Sequence, residues 1–177
     1  MTSYSWKEAF DDSLWAAKRG NSRGQNFVGY CYDIGRGVKQ DKTEAVKWYE
    51  KSARKGYLAA IYNLAVCCDK GFGIKRNVSR AVRLYKQAAL RGDLNAQANL
   101  AVMLLDGVGI KKDIATGIHW LRRAAQRGDS KAQFNLGSAY LYGEDIRSSN
   151  FYAKKWLAKA AKQGHVKAAR LLKTLKK

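Results

Sequence analysis

Three cysteines, two histidines and a set of Gly-x-Gly triplets are the residues whose types could do chemistry in this chain. Cys31 and Cys67 lie one 36-residue step apart and Cys68 adjoins Cys67. A metal needs thiolates and imidazoles at ligand spacing, and these thiols have no such partners. Small buried hydrophobes fit their positions better. Three thiols also close no complete disulfide set, which points to a reducing compartment. His119 and His165 stand too far apart to pair. Gly35-Arg36-Gly37, Gly71-Phe72-Gly73 and Gly107-Val108-Gly109 look like phosphate loops only in outline. No strand pattern precedes them, no third glycine follows, and in two of the three an Asp, Asp41 or Asp113, caps the next helix where phosphate would sit. No acid, base and nucleophile converge, so the expectation is a non-enzyme without cofactor or metal.

Positive charge is the chemistry the chain does carry: 34 Lys and Arg against 14 Asp and Glu, a net +20. Part of it falls in columns. Positions 47, 51 and 55, one helical turn apart, read Lys47, Lys51, Lys55; Arg83, Gln87, Arg91; His119, Arg123, Arg127; and Lys155, Lys159, Gln163. The basic surface expected from this ladder is Lys47, Lys51, Arg83, Arg91, Arg123, Arg127, Lys155 and Lys159. A loop column adds Lys39, Lys75, Lys111 and Arg147. A solvated outer face is the bland account. Against it, like charges four apart repel by a few tenths of a kcal/mol per pair, and few acids offset them. After Asp145 there is no acid at all, and residues 146–177 carry +10. Such a field steers an acidic partner.

These residues are positioned by a repeat. Gly35, Gly71, Gly107 and Gly143 are each 36 apart, as are Gly20, Gly56, Gly92, Gly128 and Gly164, and Ala60, Ala96, Ala132 and Ala168. Each period reads as two helices. The first spans 60–70 and its equivalents 24–34, 96–106 and 132–142. Its core columns are Val28/Leu64/Leu100/Leu136 and, three residues on, Cys31/Cys67/Met103/Ala139. The second opens at Asp41, Asn77, Asp113 and Ser149, all good N-caps. It carries small residues at 45/81/117/153, then Trp48/Leu84/Trp120/Trp156 and Tyr49/Tyr85/Leu121/Leu157, and stops at the next glycine. One hairpin cannot bury both faces, so the hairpins must stack. The chain of 177 residues, without proline and 46% hydrophobic, suits one ordered all-helical domain. The expected divisions are a cap over 1–21, repeats over 22–56, 57–92, 93–128 and 129–164, and a cap over 165–177. Neither a signal-peptide pattern nor a run of about 18 apolar residues is present, so a soluble cytoplasmic monomer is expected.

The order Ala-x-x-Asn-Leu-Ala/Gly, Gly-x-Gly-Val/Ile, then Asp-x-x-x-Ala-x-x-Trp-Tyr/Leu-x-x-Ala-Ala-x-x-Gly resembles the Sel-one-like (Sel1-like) repeat family, relatives of the tetratricopeptide repeats. The resemblance covers four repeats and the caps. It implies a right-handed α/α superhelical solenoid, bacterial in type, that holds other proteins. Adaptor, immunity-type and effector-type roles are known in the family. Two departures stand out: Phe27 where the other repeats have Asn, and Gly143-Glu144-Asp145-Ile146 in place of Gly-x-Gly. The latter predicts a distorted last turn, with Asp145 in an unusual conformation.

Related repeats use groove asparagines on a peptide backbone, and the resemblance implies the same for Asn63, Asn99 and Asn135. An amide offers donor and acceptor together, which matches a peptide unit. The same face carries 59, 66 and 70 and their equivalents, which makes Tyr30, Lys70, Asn95, Lys131 and Tyr142 groove candidates. The competing role for these asparagines is a bond within or between repeats. Two functions therefore stand in order. The first is an adaptor that binds an acidic protein or peptide. The second is a nucleic-acid or other polyanion binder, weakened because Trp and many Tyr sit at core columns and cannot stack on bases.

Overall fold

The computed structural model describes residues 5–143 and 146–175. The expected distortion at Asp145 falls outside them. The described chain is all helix: α1 (Trp6–Lys18), α2 (Ser22–Ile34), α3 (Lys42–Arg54), α4 (Leu58–Lys70), α5 (Val78–Leu90), α6 (Leu94–Asp106), α7 (Ile114–Gln126), α8 (Ser130–Tyr142), α9 (Asn150–Lys162) and α10 (Val166–Thr174). It divides into two compact units, Met1–Asp93 with α1–α5 and Leu94–Lys177 with α6–α10. Within each unit every helix packs on the next in the chain, α1 on α2 through α4 on α5, and α6 on α7 through α9 on α10. This is the contact pattern of an α-solenoid.

The second helix of each repeat begins where the caps demand. Asp41 accepts the Glu44 N–H at 2.9 Å, Asn77 that of Arg80 at 2.9 Å, Asp113 that of Thr116 at 3.0 Å and Ser149 that of Tyr152 at 3.4 Å. The first helices begin two residues earlier than the alanine columns imply, at Ser22, Leu58, Leu94 and Ser130. The reason is the turn before them. The glycine at 56 turns the chain with φ +76° and one extended residue, Tyr57, already leads into the helix. Side-chain caps sit at these starts too: Asn21 accepts the Gly24 N–H at 2.8 Å and Asp129 that of Ala132 at 2.6 Å.

The core follows most of the columns, but Leu84, Ala139 and Trp156 are only half-buried. Val28, Leu64, Leu100 and Leu136 are buried, as are Tyr49, Tyr85, Leu121 and Leu157. The small column works as expected: a Cβ at Gly117 would stand 2.9 Å from Leu105 Cδ2. In the Gly-x-Gly triplets the two glycines have different duties. Gly71 ends α4 in the left-handed conformation. Gly73 is also left-handed, φ +67°, but in addition a Cβ there would overlap the Lys42 carbonyl at the start of α3. Gly37 repeats this against the Trp6 carbonyl at the start of α1. The second glycine is therefore where one turn seats on the preceding helix.

Candidate functional site

In the second unit, Val102, Leu105 and Asp106 of α6 face Phe134, Asn135, Ser138, Ala139 and Tyr142 of α8 across a hollow of about 230 Å³. Five of these residues, Val102, Asp106, Asn135, Ser138 and Tyr142, belong to the stripe read from the sequence. Tyr142 is 62% exposed at its rim. The Ser138 hydroxyl is buried in its wall with no hydrogen-bond partner in the protein. The hollow thus has apolar walls with an amide, a hydroxyl and a carboxylate, a composition suited to a peptide main chain with apolar side chains. Asn99 is half-buried on α6, and Asn95 and Lys131 are exposed near the starts of α6 and α8.

The first unit uses its stripe differently. Asn63 Nδ2 donates to Asn26 Oδ1 at 3.0 Å, so this amide joins α4 to α2. Tyr30 is exposed at 39%. Lys70 is exposed beside Asp69, 2.7 Å away.

The basic ladder resolves into three kinds of side chain. Lys47 is engaged by Glu44 at 2.9 Å, which favours its charged form. Lys51, Arg123 and Lys159 each lie over the tryptophan three residues earlier, at 4.2 Å from the Trp48 ring, 5.5 Å from Trp120 and 4.7 Å from Trp156. The Trp-x-x-Lys/Arg spacing thus joins a core column to a surface column. The third row works backwards into the preceding turn: Lys55 donates to the Gly20 carbonyl, Arg91 to Gly56 at 2.6 Å and Gln163 to Gly128 at 3.0 Å. Arg127 caps the C-terminal end of α7. Arg83 and Lys155 are exposed, as is the loop column Lys39, Lys75, Lys111 and Arg147.

On α9 and α10, Lys154, Lys155, Lys159, Lys162, Lys167, Arg170 and Lys173 are all exposed. Beside them Phe151 is 70% and Tyr152 45% exposed, aromatic surface that the column pattern did not disclose.

The chemical groups set aside from the sequence are structurally occupied. Cys31, Cys67 and Cys68 are unpaired and buried. Loss of solvent pushes all three thiols up, Cys67 to about 12. His165 caps α10 through its Nδ1, which accepts the Ala168 N–H at 3.2 Å, and stacks on Phe134 at 4.6 Å. His119 lies edge-on to Trp120 at 5.9 Å. Asp113 is held below the usual carboxylate range by the Thr116 N–H. Among the described residues no group of three His, Cys, Asp or Glu could hold a metal, and no helix is long and apolar enough to cross a membrane.

A buried glutamine column also emerges. Gln25 Nε2 donates to the Ala17 carbonyl at 3.1 Å and Gln133 Nε2 to that of Ala125 at 3.0 Å. These residues tie a first helix to the end of the helix before it.

A family described as Sel1 repeat matches four consecutive stretches, residues 22–57, 58–93, 94–129 and 130–165. No curated protein matches the chain. Among solved structures, a Sel1 repeat protein from Oxalobacter formigenes is 29% identical, with a TM-score of 0.92 over 98% of this chain and 69% of its own. A protective antigen of uropathogenic Escherichia coli that displays the SLR fold is 35% identical, with a TM-score of 0.85 over 92% of this chain. The chain spans about a third of that antigen, 35% of its length. An immunity protein from Pseudomonas aeruginosa shares the fold at 22% identity, with a TM-score of 0.63 over 93% of this chain and 61% of its own.

Proposed function

The chain belongs to the Sel1 repeat family, and from that premise we propose that it is a non-catalytic adaptor for an acidic protein or peptide. Sel1 repeats are generally protein-interaction scaffolds. The observation that carries the finer reading is the uncompensated charge of α9 and α10, where seven exposed cations stand without an acid after Asp145. The hollow between α6 and α8 takes the main chain and apolar side chains, with Asn135 as its polar contact. Acidic side chains of the same partner reach Arg123, Lys155 and Lys159. A role of immunity or effector type belongs to the same reading, as does a cytoplasmic location, which suits three unpaired buried thiols.

A second reading rests on Phe151 and Tyr152. Exposed rings beside Lys154 and Lys155 are the elements of a single-stranded nucleic-acid platform. Affinity capture from the native cell, set beside a salt-titrated gel shift, separates the two. Retention of a defined acidic protein supports the adaptor. Sequence-independent retention of nucleic acid that falls steeply with salt supports the second reading. The triple reversal Arg123→Glu, Lys155→Glu, Lys159→Glu abolishes either mode. Undiminished capture by that variant refutes the basic surface.

A further inference from the structure

The aromatic column of the second helices has one gap. It reads Trp48, Leu84, Trp120, Trp156, and the cation three residues on is replaced by Gln87 after Leu84. In the first repeat Trp48 is buried in a core cluster that includes Ala17 and Val28, with Leu14 packed against it. One period further on those places are held by Glu50, Ala53 and Leu64. Around Leu84 they enclose an open hollow of about 180 Å³ between α3, α4 and α5. The hollow thus lies among the repeat equivalents of residues that share a core cluster with the first repeat's own indole. It is also large enough for a ring, since roughly 150 Å³ of apolar cavity admits benzene.

The floor is apolar, made by Ala53, Ile61, Leu64 and Leu84. The rim is charged. Glu50 takes the Arg80 guanidinium at 2.7 Å with one oxygen, and its other oxygen lies 3.8 Å from Arg54. Two guanidinium groups thus share one carboxylate, and the Arg54 side chain is 78% exposed. The rim has room for one more negative charge.

Resting on the acidic-partner reading above, we propose that this hollow is a socket for an aromatic side chain of the partner, tryptophan above all, that stands beside a carboxylate. The ring lies on the floor as Trp48 lies in its own repeat. The neighbouring carboxylate meets the N–H groups of Arg54. Aromatic rings in desolvated pockets and arginines at their edge are the residues that dominate interface energetics. The socket therefore makes an otherwise charge-only attraction selective for sequence.

The test uses two acetylated, amidated pentapeptides, Asp-Glu-Trp-Glu-Asp and the same peptide with glycine in place of tryptophan, titrated calorimetrically into the full chain. The tryptophan peptide is expected to bind at least tenfold tighter. Leu84→Trp, which restores the sequence of the sister repeats, is expected to erase that margin with an unchanged or raised Tm. Arg54→Glu, at an exposed position, is expected to weaken the tryptophan peptide severalfold and decides the matter if Leu84→Trp does not fold. A tenfold preference that persists in folded Leu84→Trp, or binding unchanged in Arg54→Glu, overturns the socket. Equal, salt-sensitive binding of both peptides overturns the socket and leaves the acidic-partner reading standing. Binding of neither also overturns the socket, and the acidic-partner reading is then decided by the charge-reversal capture.

Discussion

Replacing Gly73 by alanine isolates what the second glycine of the triplet does. A Cβ at this position overlaps the Lys42 carbonyl and stands 2.8 Å from the Thr43 nitrogen. Both are backbone at the start of α3 and cannot rotate away. Gly56 provides the control in the same unit. It too is left-handed, at φ +76°, but the nearest atom to its Cβ is Arg91 Nη1 at 3.8 Å. Left-handed strain for an L-residue is about 1–2 kcal/mol at either position. The loss of chain entropy in the unfolded state is the same for both substitutions and cancels in the comparison. Overpacking adds about 1–3 kcal/mol at Gly73 alone. Gly73→Ala is therefore expected to destabilise by about 2–5 kcal/mol and Gly56→Ala by about 1–2. At about 2–4 °C per kcal/mol, typical for a chain of this size, the two variants separate clearly in thermal melts. Urea melts followed by circular dichroism give the free energies directly. Equal losses for the two variants, within about 0.5 kcal/mol, would show that the turn does not seat on α3 as described.

Other perturbations have definite outcomes. Asn77→Ala removes the α5 cap and is expected to lower stability by about 1 kcal/mol, while Asn77→Asp retains it; urea melts of both variants check this. A double-mutant cycle on Asn26 and Asn63 should give a coupling near 1 kcal/mol, since each amide is the other's partner; a coupling of zero would return Asn63 to the open surface. Cys67 binds its proton more tightly folded than unfolded, so its contribution to stability is complete below the ordinary thiol value of 9 and is lost as pH rises toward 12. The wild type should therefore lose more stability over that range than Cys67→Ala does, and alkylation at pH 8 should label the three thiols only after unfolding. His165→Ala should fray α10, read as faster amide exchange at Ala168, whereas His165→Asn should preserve the cap.

The periodic features were legible because the repeat states each of them four times. A left-handed turn admits glycine, a cap favours Asp, Asn or Ser, and a buried column excludes charge, so each constraint recurs at the same phase. Features that depend on one position were not legible. The hollow beside Leu84 is a departure from a column, and the column alone does not say whether a neighbour fills the gap. Asn63 shows the same limit. Its type and phase match Asn99 and Asn135, yet it meets Asn26, a place that the next two repeats give to Tyr62 and Ala98. The ladder is a row of cations in the sequence itself. That its third member donates to a carbonyl 35 residues earlier depends on how one hairpin leans on the last, and side-chain type does not encode that lean.

The backward direction of those bonds gives the molecule an arrow in time. Lys55, Arg91 and Gln163, and likewise Gln25 and Gln133, all donate from a later segment to a carbonyl that lies earlier in the chain. On a ribosome, where the N-terminal part emerges first, each acceptor is already in position when its donor appears. Along these bonds the repeats can lock in the order of their synthesis, each arrival closing on a finished neighbour.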